Sequence, residues 1–336
     1  MNLPNTITFE LTHKCNCRCE MCRFWIPEST KADYKELNFT KIIEIINKIK
    51  YYYDKKKNNL ILGLTGGEPF LKKDFIKIIN FLSKKRIKYD IVTNFSVPTK
   101  EVLDSFAKYP PIKLNISLDG LGETHNLIRK RKIFNKIILN IKYFRKISPH
   151  TPIKINSTIN KYNVYELEKL VYFVIKNRFE LNFQHLNFIT PWLLKEQRNF
   201  EQIHFGKTFF HEPTFYTLNQ KEVKILQKKI EEVNQIRYKK NYNVTFLPEL
   251  VNNLSVWYLD PKNIVTTQKC DINRLRIKPD GRIVHCENFV YGNLVKSDFE
   301  KIYNSIEAKK FKDIISRKIM PFCNRCCLRF KSYSEN

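Results

Sequence analysis

Apolar and polar positions alternate between two periods over roughly the first 190 residues. Thr6–Leu11, Asn59–Leu64, Tyr89–Thr93, Lys113–Leu118, Ile153–Ile159 and Leu181–Phe188 are short apolar or two-residue-period runs, and they predict strands. Between them, Thr40–Tyr52, Phe75–Lys84, Lys100–Tyr109, Phe134–Ile147 and Val164–Lys176 carry apolar residues at helical spacing. Strands that alternate with helices predict an α/β fold with a parallel sheet and helices outside it. Right-handed crossovers curl such a sheet into a partial (β/α)6 TIM-like barrel, whose functional end is the C-terminal end of the strands.

The pattern changes after Thr190. Gln220–Lys240 reads as a charged amphipathic helix and Asn243–Phe246 as a strand. Leu275–Lys278 and Arg282–His285 flank Pro279-Asp280-Gly281, a turn in which Pro sets φ and Gly permits positive φ, so a β-hairpin is expected. Asp298–Ser316 is helical, and Pro321–Cys327 forms a Cys-rich knuckle. These changes divide the chain into a core at 5–190, a bridging segment at 191–268, and a small C-terminal hairpin-plus-helix domain at 269–330.

The chain has 336 residues, 43% hydrophobic and 13% aromatic, which is enough for a sizeable core and excludes disorder as the main state. No run approaches the ~18 apolar residues of a membrane span. The opening MNLPNTITFELTHKC has no basic-then-apolar signal, so a cytoplasmic location is expected. Sixty Lys and Arg against thirty-three Asp and Glu give a net charge of +27. Such a balance suits anionic partners: nucleic acid, phosphorylated metabolites or lipid headgroups. The basic residues are scattered rather than blocked, which favours a solvated Lys-rich surface over nucleic-acid binding.

Nine cysteines fall in two groups with none between Cys22 and Cys270. An odd count in a long chain without a secretion signal argues for metal sites rather than disulfides. Cys15-x3-Cys19-x2-Cys22 follows the first strand directly, where a loop can wrap thiolates round one cluster face. A [4Fe–4S] cube takes four ligands, so three leave one iron open for an exogenous ligand. Zinc is the alternative, with Cys17 or His13 as its fourth ligand.

This triplet, with Gly66-Gly67-Glu68-Pro69 after the second strand, resembles the radical S-adenosylmethionine (radical SAM) superfamily. The resemblance implies that Cys15, Cys19 and Cys22 bind three irons and that the amino and carboxylate groups of SAM chelate the fourth. It implies that Gly66 and Gly67 admit a close backbone approach to the ligand and that Glu68 accepts from the methionine ammonium. Met21 takes the place beside the adenine, while Asn94, Ser117 and Arg129 occupy positions where related proteins contact SAM. Each of these last three also reads as an ordinary polar loop residue, and Arg129 lies in a run of four basic residues, any of which can face inward. Cys17 reads as a spectator. The implied chemistry is reductive cleavage of SAM to methionine and a 5′-deoxyadenosyl radical, which removes hydrogen from an unactivated C–H bond; the implied electron donor is a flavodoxin or ferredoxin.

The second group is Cys270, Cys286, Cys323 and Cys326, a four-thiolate set with no open position. Its spacing alone leaves a zinc ribbon and an iron–sulfur cluster both open. The order C-x10-G-x4-C followed by C-x2-C, with Gly292-Asn293-Leu294 after the second Cys, is similar to the SPASM and twitch modules of radical SAM enzymes. That likeness implies one auxiliary [4Fe–4S] cluster, with Cys326 favoured over Cys327 as the last ligand. Ser157, Thr158, Asn160, Gln184 and His185 are substrate-side candidates, and an anionic small molecule or a peptide is the expected substrate class. The rival reading is a non-enzymatic, zinc-stapled nucleic-acid-binding protein, which leaves Gly66-Gly67-Glu68 unexplained.

Overall fold

The computed structural model describes residues 3–22, 36–209, 216–248, 254–260, 274–286, 289–317 and 320–326. The first half runs β1 (Thr6–Glu10), α1 (Phe39–Lys55), β2 (Ile61–Thr65), α2 (Phe75–Lys84), β3 (Lys88–Thr93), α3 (Lys100–Lys108), β4 (Lys113–Ser117), α4 (Glu123–Arg129) and α5 (Phe134–Ile147). It continues through β5 (Ile153–Thr158), α6 (Leu167–Asn177), β6 (Glu180–Gln184), α7 (Pro191–Phe205), α8 (Gln220–Lys239), β7 (Val244–Leu247) and α9 (Leu254–Leu259). The last part holds β8 (Leu275–Ile277), β9 (Arg282–His285), β10 (Phe289–Asn293), α10 (Phe299–Tyr303) and α11 (Ile306–Arg317).

These strands form one sheet in the order β10-β9-β8-β1-β2-β3-β4-β5-β6-β7. Each strand from β1 to β7 is parallel to its neighbour. β8 lies parallel on the other side of β1, with Ile7 opposite Leu275, and β9 and β10 then turn antiparallel. The six core strands expected from the pattern are present, and β7 and β8 extend their parallel array. The sheet is curled but open, and the C-terminal hairpin continues it.

The two faces of the sheet differ as a two-residue period requires. Ile7, Phe9, Leu64, Ile91, Ile116 and Phe183 are buried beneath the helices. The intervening positions include Thr8, Glu10, Asp90, Asn115, Lys154 and Asn182. Lys113 of β4 reaches Glu180 of β6 at 3.0 Å, over the intervening β5, so these polar residues share a concave face. Gly63 makes room there, since a Cβ on it would lie 3.3 Å from Asp90 Oδ1. Burial pushes the Asp90 carboxyl up to about 6, against the lowering pull of Lys113.

Helix starts carry their own signals. Asn38 accepts the Lys41 N–H at 3.0 Å before α1, and Asn219 with Glu222 forms a capping box before α8. The helix expected over Asp298–Ser316 is two, α10 and α11. The Ser305 hydroxyl accepts the Ala308 N–H at 3.1 Å and starts a new helix there, as a short polar side chain competing with the backbone does. α7 lies in the segment read as a bridge; its pattern is masked because Gln197 and Glu201 are among its buried residues.

Candidate functional site

The loop after β1 folds back over the C-terminal ends of the strands. Leu11 N–H donates to Thr65 O, Gly67 N–H to Thr12 O, and Glu68 N–H to Lys14 O, each at 2.8 Å. A Cβ on Gly66 would lie 2.4 Å from the Thr12 carbonyl oxygen, and one on Gly67 2.5 Å from that of Lys14. Only glycine admits this approach. These glycines therefore let the cysteine loop pack closely against the end of β2. Glu36 ties the loop from outside, accepting from Thr12 Oγ1 at 2.6 Å and from the His13 N–H at 2.9 Å.

Cys17 and Cys19 are buried, and Cys15 and Cys22 are half-buried. The Cys17 N–H donates to Cys15 Sγ at 3.4 Å. The hydrogen bond from the Cys17 side chain draws the Cys15 thiol down to about 6 against burial, with its backbone N–H, Arg129 and Arg18 adding to the effect. The same side chain lowers Cys19, and both bonds push Cys17 up. Cys17 thus sits between Cys15 and Cys19 as the side chain that lowers both.

Arginines fasten the loop. Arg18 Nη1 donates to the Cys15 and Cys17 carbonyls at 2.8 Å each, and Arg131 Nη1 to Asn16 O at 3.1 Å. Arg129 is the member of its basic run that faces inward. Its Nη1 lies 3.7 Å from Cys19 Sγ and its Nη2 2.6 Å from Asp119 Oδ2. Burial works against that charge, while Asp119 and the cysteines hold the guanidinium above its ordinary value. Asp119 is itself fixed by the Thr158 N–H at 2.8 Å.

Glu68 is fully buried behind the loop. It accepts from Thr93 Oγ1 at 2.6 Å and from the Asn94 N–H at 2.8 Å. Burial pushes its carboxyl up to about 7 against those two donors. Asn94 Nδ2 donates to Asn16 Oδ1 at 2.8 Å, so Glu68, Asn94 and the cysteine loop form one chain of contacts. Met21 is half-buried on the loop, and Ser117 ends β4 at a half-buried position two residues before Asp119. Sequence reasoning missed Asp119, Asn16 and Arg18. Asp119 stands two residues after Ser117, but its pairing with Arg129 depends on α4, which the periodicity does not reveal as a helix.

Of the substrate-side candidates, His185 is buried on the helix side, its Nδ1 2.9 Å from Tyr258 Oη, and burial draws its pKa down to about 3. It is a neutral core residue. Gln184 takes the alternate direction, in register with Thr158.

At the other end, the Asp280-Gly281 turn is held by Asn293, whose Nδ2 donates to Asp280 O at 3.1 Å; Gly281 takes φ +84°. Cys286 follows β9, exposed and at φ +48°. Cys323 is buried and Cys326 half-buried on the knuckle, with the Cys326 N–H donating to Cys323 O at 3.2 Å. α7 secures this knuckle: Gln197 Oε1 accepts from the Phe322 N–H at 3.1 Å, and its Nε2 donates to Glu201 at 2.7 Å. Cys270 and Cys327 lie outside the described residues.

Among the described residues, no three His, Cys, Asp or Glu side chains converge on the point a single metal ion would occupy. A cubane takes its thiolates on separate corners. The donors suit it: soft, lowered-pKa thiols on one loop, beside a buried guanidinium whose Nε has no partner. No described helix is long and apolar enough to cross a membrane.

Residues 9–174 match the model of the radical SAM superfamily, and residues 270–327 that of an iron–sulfur cluster-binding domain, SPASM. An AdoMet-dependent heme synthase of Methanosarcina barkeri is 28% identical over 194 residues, 56% of this chain and 52% of that protein. Mycofactocin maturase MftC of Mycolicibacterium smegmatis is 25% identical over 50% of this chain and 41% of its own length. This chain thus spans about half the length of these curated relatives or less. The crystal structure of Streptococcus suis SuiB bound to the precursor peptide SuiA superposes with a TM-score of 0.62 at 17% identity, covering 97% of this chain and 71% of that one, and shares its fold. The matched domains imply [4Fe–4S] clusters and SAM as cofactors. The chain belongs to the radical SAM superfamily and carries a SPASM iron–sulfur cluster-binding domain.

Proposed function

We propose that this chain is a peptide-modifying radical SAM enzyme with one auxiliary [4Fe–4S] cluster, reduced by a flavodoxin or ferredoxin. The observation that carries the reading is the thiolate loop at the end of β1, with Arg129 3.7 Å from Cys19 and Glu68 buried behind it. When bound, the cluster and SAM supply reductive sulfonium cleavage and hydrogen-atom abstraction from a C–H bond.

The chain's own residues bind and orient. Cys15, Cys19 and Cys22 would hold the cluster. Glu68, Asn94, Ser117 and Met21 would hold SAM, with Arg129 holding charge against the cluster. Asp119 keeps Arg129 in place. Cys270, Cys286, Cys323 and Cys326 would hold the auxiliary cluster. The concave face, with Asp90, Asn115, Asn156 and Asn182, offers hydrogen-bonding groups for a polar substrate. MftC is a maturase and SuiB is bound to a precursor peptide, and both support a peptide substrate here.

The test is anaerobic incubation with SAM and dithionite, read by mass spectrometry for 5′-deoxyadenosine. Wild type forms it and Cys19→Ala does not. Cys286→Ala retains cleavage and loses part of its iron. Wild-type-like cleavage by Cys19→Ala would remove that cysteine from the cluster.

A further inference from the structure

α11 places a charge where its pattern asks for an apolar residue. Its buried face is Ala308, Phe311, Lys312 and Ile315. Lys312 is only 5% exposed. Its ammonium donates to the Tyr303 carbonyl oxygen at 3.3 Å and lies 3.5 Å from the Tyr303 ring centre. No carboxylate among the described residues pairs with it. The Tyr291 ring lies 6.0 Å away as well; one carbonyl and two ring faces are a small return for a desolvated ammonium, and burial draws its pKa down to about 8.

Lys312 borders a cavity of about 420 Å³ between α1, α10, α11 and the segment before β2. Tyr52 and Tyr303 are buried in its wall, and Lys56 and Lys309 stand exposed on its border. No carboxylate lines it. The acids nearby are turned elsewhere: Glu300 to Lys55 at 3.0 Å and Asp298 to Lys48 at 3.5 Å. Leu3 and Asn58 also line the cavity, so it opens at the N-terminal ends of β1 and β2, away from the cysteine loop.

We propose that this cavity binds a small phosphate-bearing metabolite, with Lys312 at its floor and Lys56 and Lys309 at its rim. Three ammonium groups with no internal counter-ion match a multiply charged anion, and lysine binds phosphate as a point charge. The volume lies within the range of about 300–1,000 Å³ usual for small-ligand pockets. A buried floor ammonium favours a compact ligand over a nucleic-acid backbone, which needs only exposed lysines. The inference is independent of the proposed radical reaction.

The test is calorimetric titration of the cluster-loaded protein with pyrophosphate at about 0.15 M salt. Wild type should bind one equivalent saturably. Lys312→Met completes the apolar stripe, so it should melt no lower than wild type, yet bind about tenfold or more weakly. Lys309→Gln, at an exposed position, should weaken binding less. Lys84→Gln, exposed on α2, should change nothing. Several results would overturn the proposal: no binding by wild type up to about 10 mM, undiminished binding by Lys312→Met, or an equal loss in Lys84→Gln. Equal affinity for citrate would refute the phosphate class, and displacement of pyrophosphate by single-stranded RNA would assign the surface to nucleic acid.

Discussion

The two cysteine regions are held by different means. The loop at Cys15–Cys22 is fastened on every side: backbone bonds to the end of β2, an arginine on each of several carbonyls, and the buried Asp119–Arg129 pair beneath Cys19. The C-terminal set draws its thiols from separate segments. Cys286 sits exposed after β9, and the knuckle of Cys323 and Cys326 leans on one helix through Gln197. A site built by a barrel end takes its order from the fold around it. A site gathered from distant segments gains much of its order from the metal, because ligand binding and local folding are linked.

The sharpest way to break this contrast is at Asp119. Asp119→Ala leaves Arg129 buried without its counter-charge, and urea unfolding should show a loss of about 3–5 kcal/mol, with SAM cleavage abolished. Gln197→Leu should cost less, about 1–3 kcal/mol for the lost hydrogen bonds to the Phe322 N–H and to Glu201. Its iron content should fall while 5′-deoxyadenosine formation persists. If Gln197→Leu lost cleavage as completely as Asp119→Ala, the two regions would not be independent.

The smallest effect concerns Glu68. Its carboxyl is raised from 4.5 to about 7 by burial. Between those values the folded chain holds more protons than the unfolded one, so stability falls as pH rises through that window. Thr93→Val removes a donor to the ionised form and extends the fall upward. The variant also strands the buried Phe95 N–H, which donates to Thr93 Oγ1 at 2.8 Å, at every pH, so without SAM it should lose stability at pH 5 as well and about 1–2 kcal/mol more near pH 8. Equal losses at both pH values would mean that Thr93 does not stabilise the ionised carboxylate.

Most of the barrel was legible because its strands and helices obey clean periods. α7 was not, since a helix that buries Gln197 and Glu201 to serve the knuckle shows no apolar stripe. α4 is short, and its role is to deliver Arg129 rather than to bury a face. The cysteine spacings announced both metal regions. What holds the first loop was hidden, because Asn16 and Asp119 are polar residues whose partners are distant in sequence, Asn94 and Arg131 for the first and Thr158 for the second, and Arg18 bonds to backbone carbonyls that no pattern marks. Lys312 was equally silent: one lysine among sixty basic residues, distinguished only by where α11 turns it.

The hairpin's place in the sheet has one more outcome. β8 lies between β1 and β9, and β9 runs opposite to β1, so Cys15 and Cys286 follow opposite ends of strands two places apart. Lateral steps of roughly 5 Å and a rise of about 3.3 Å per residue set their separation. The sheet acts as a ruler: strand register, rather than the packing of either loop, sets how far apart those two cysteines stand.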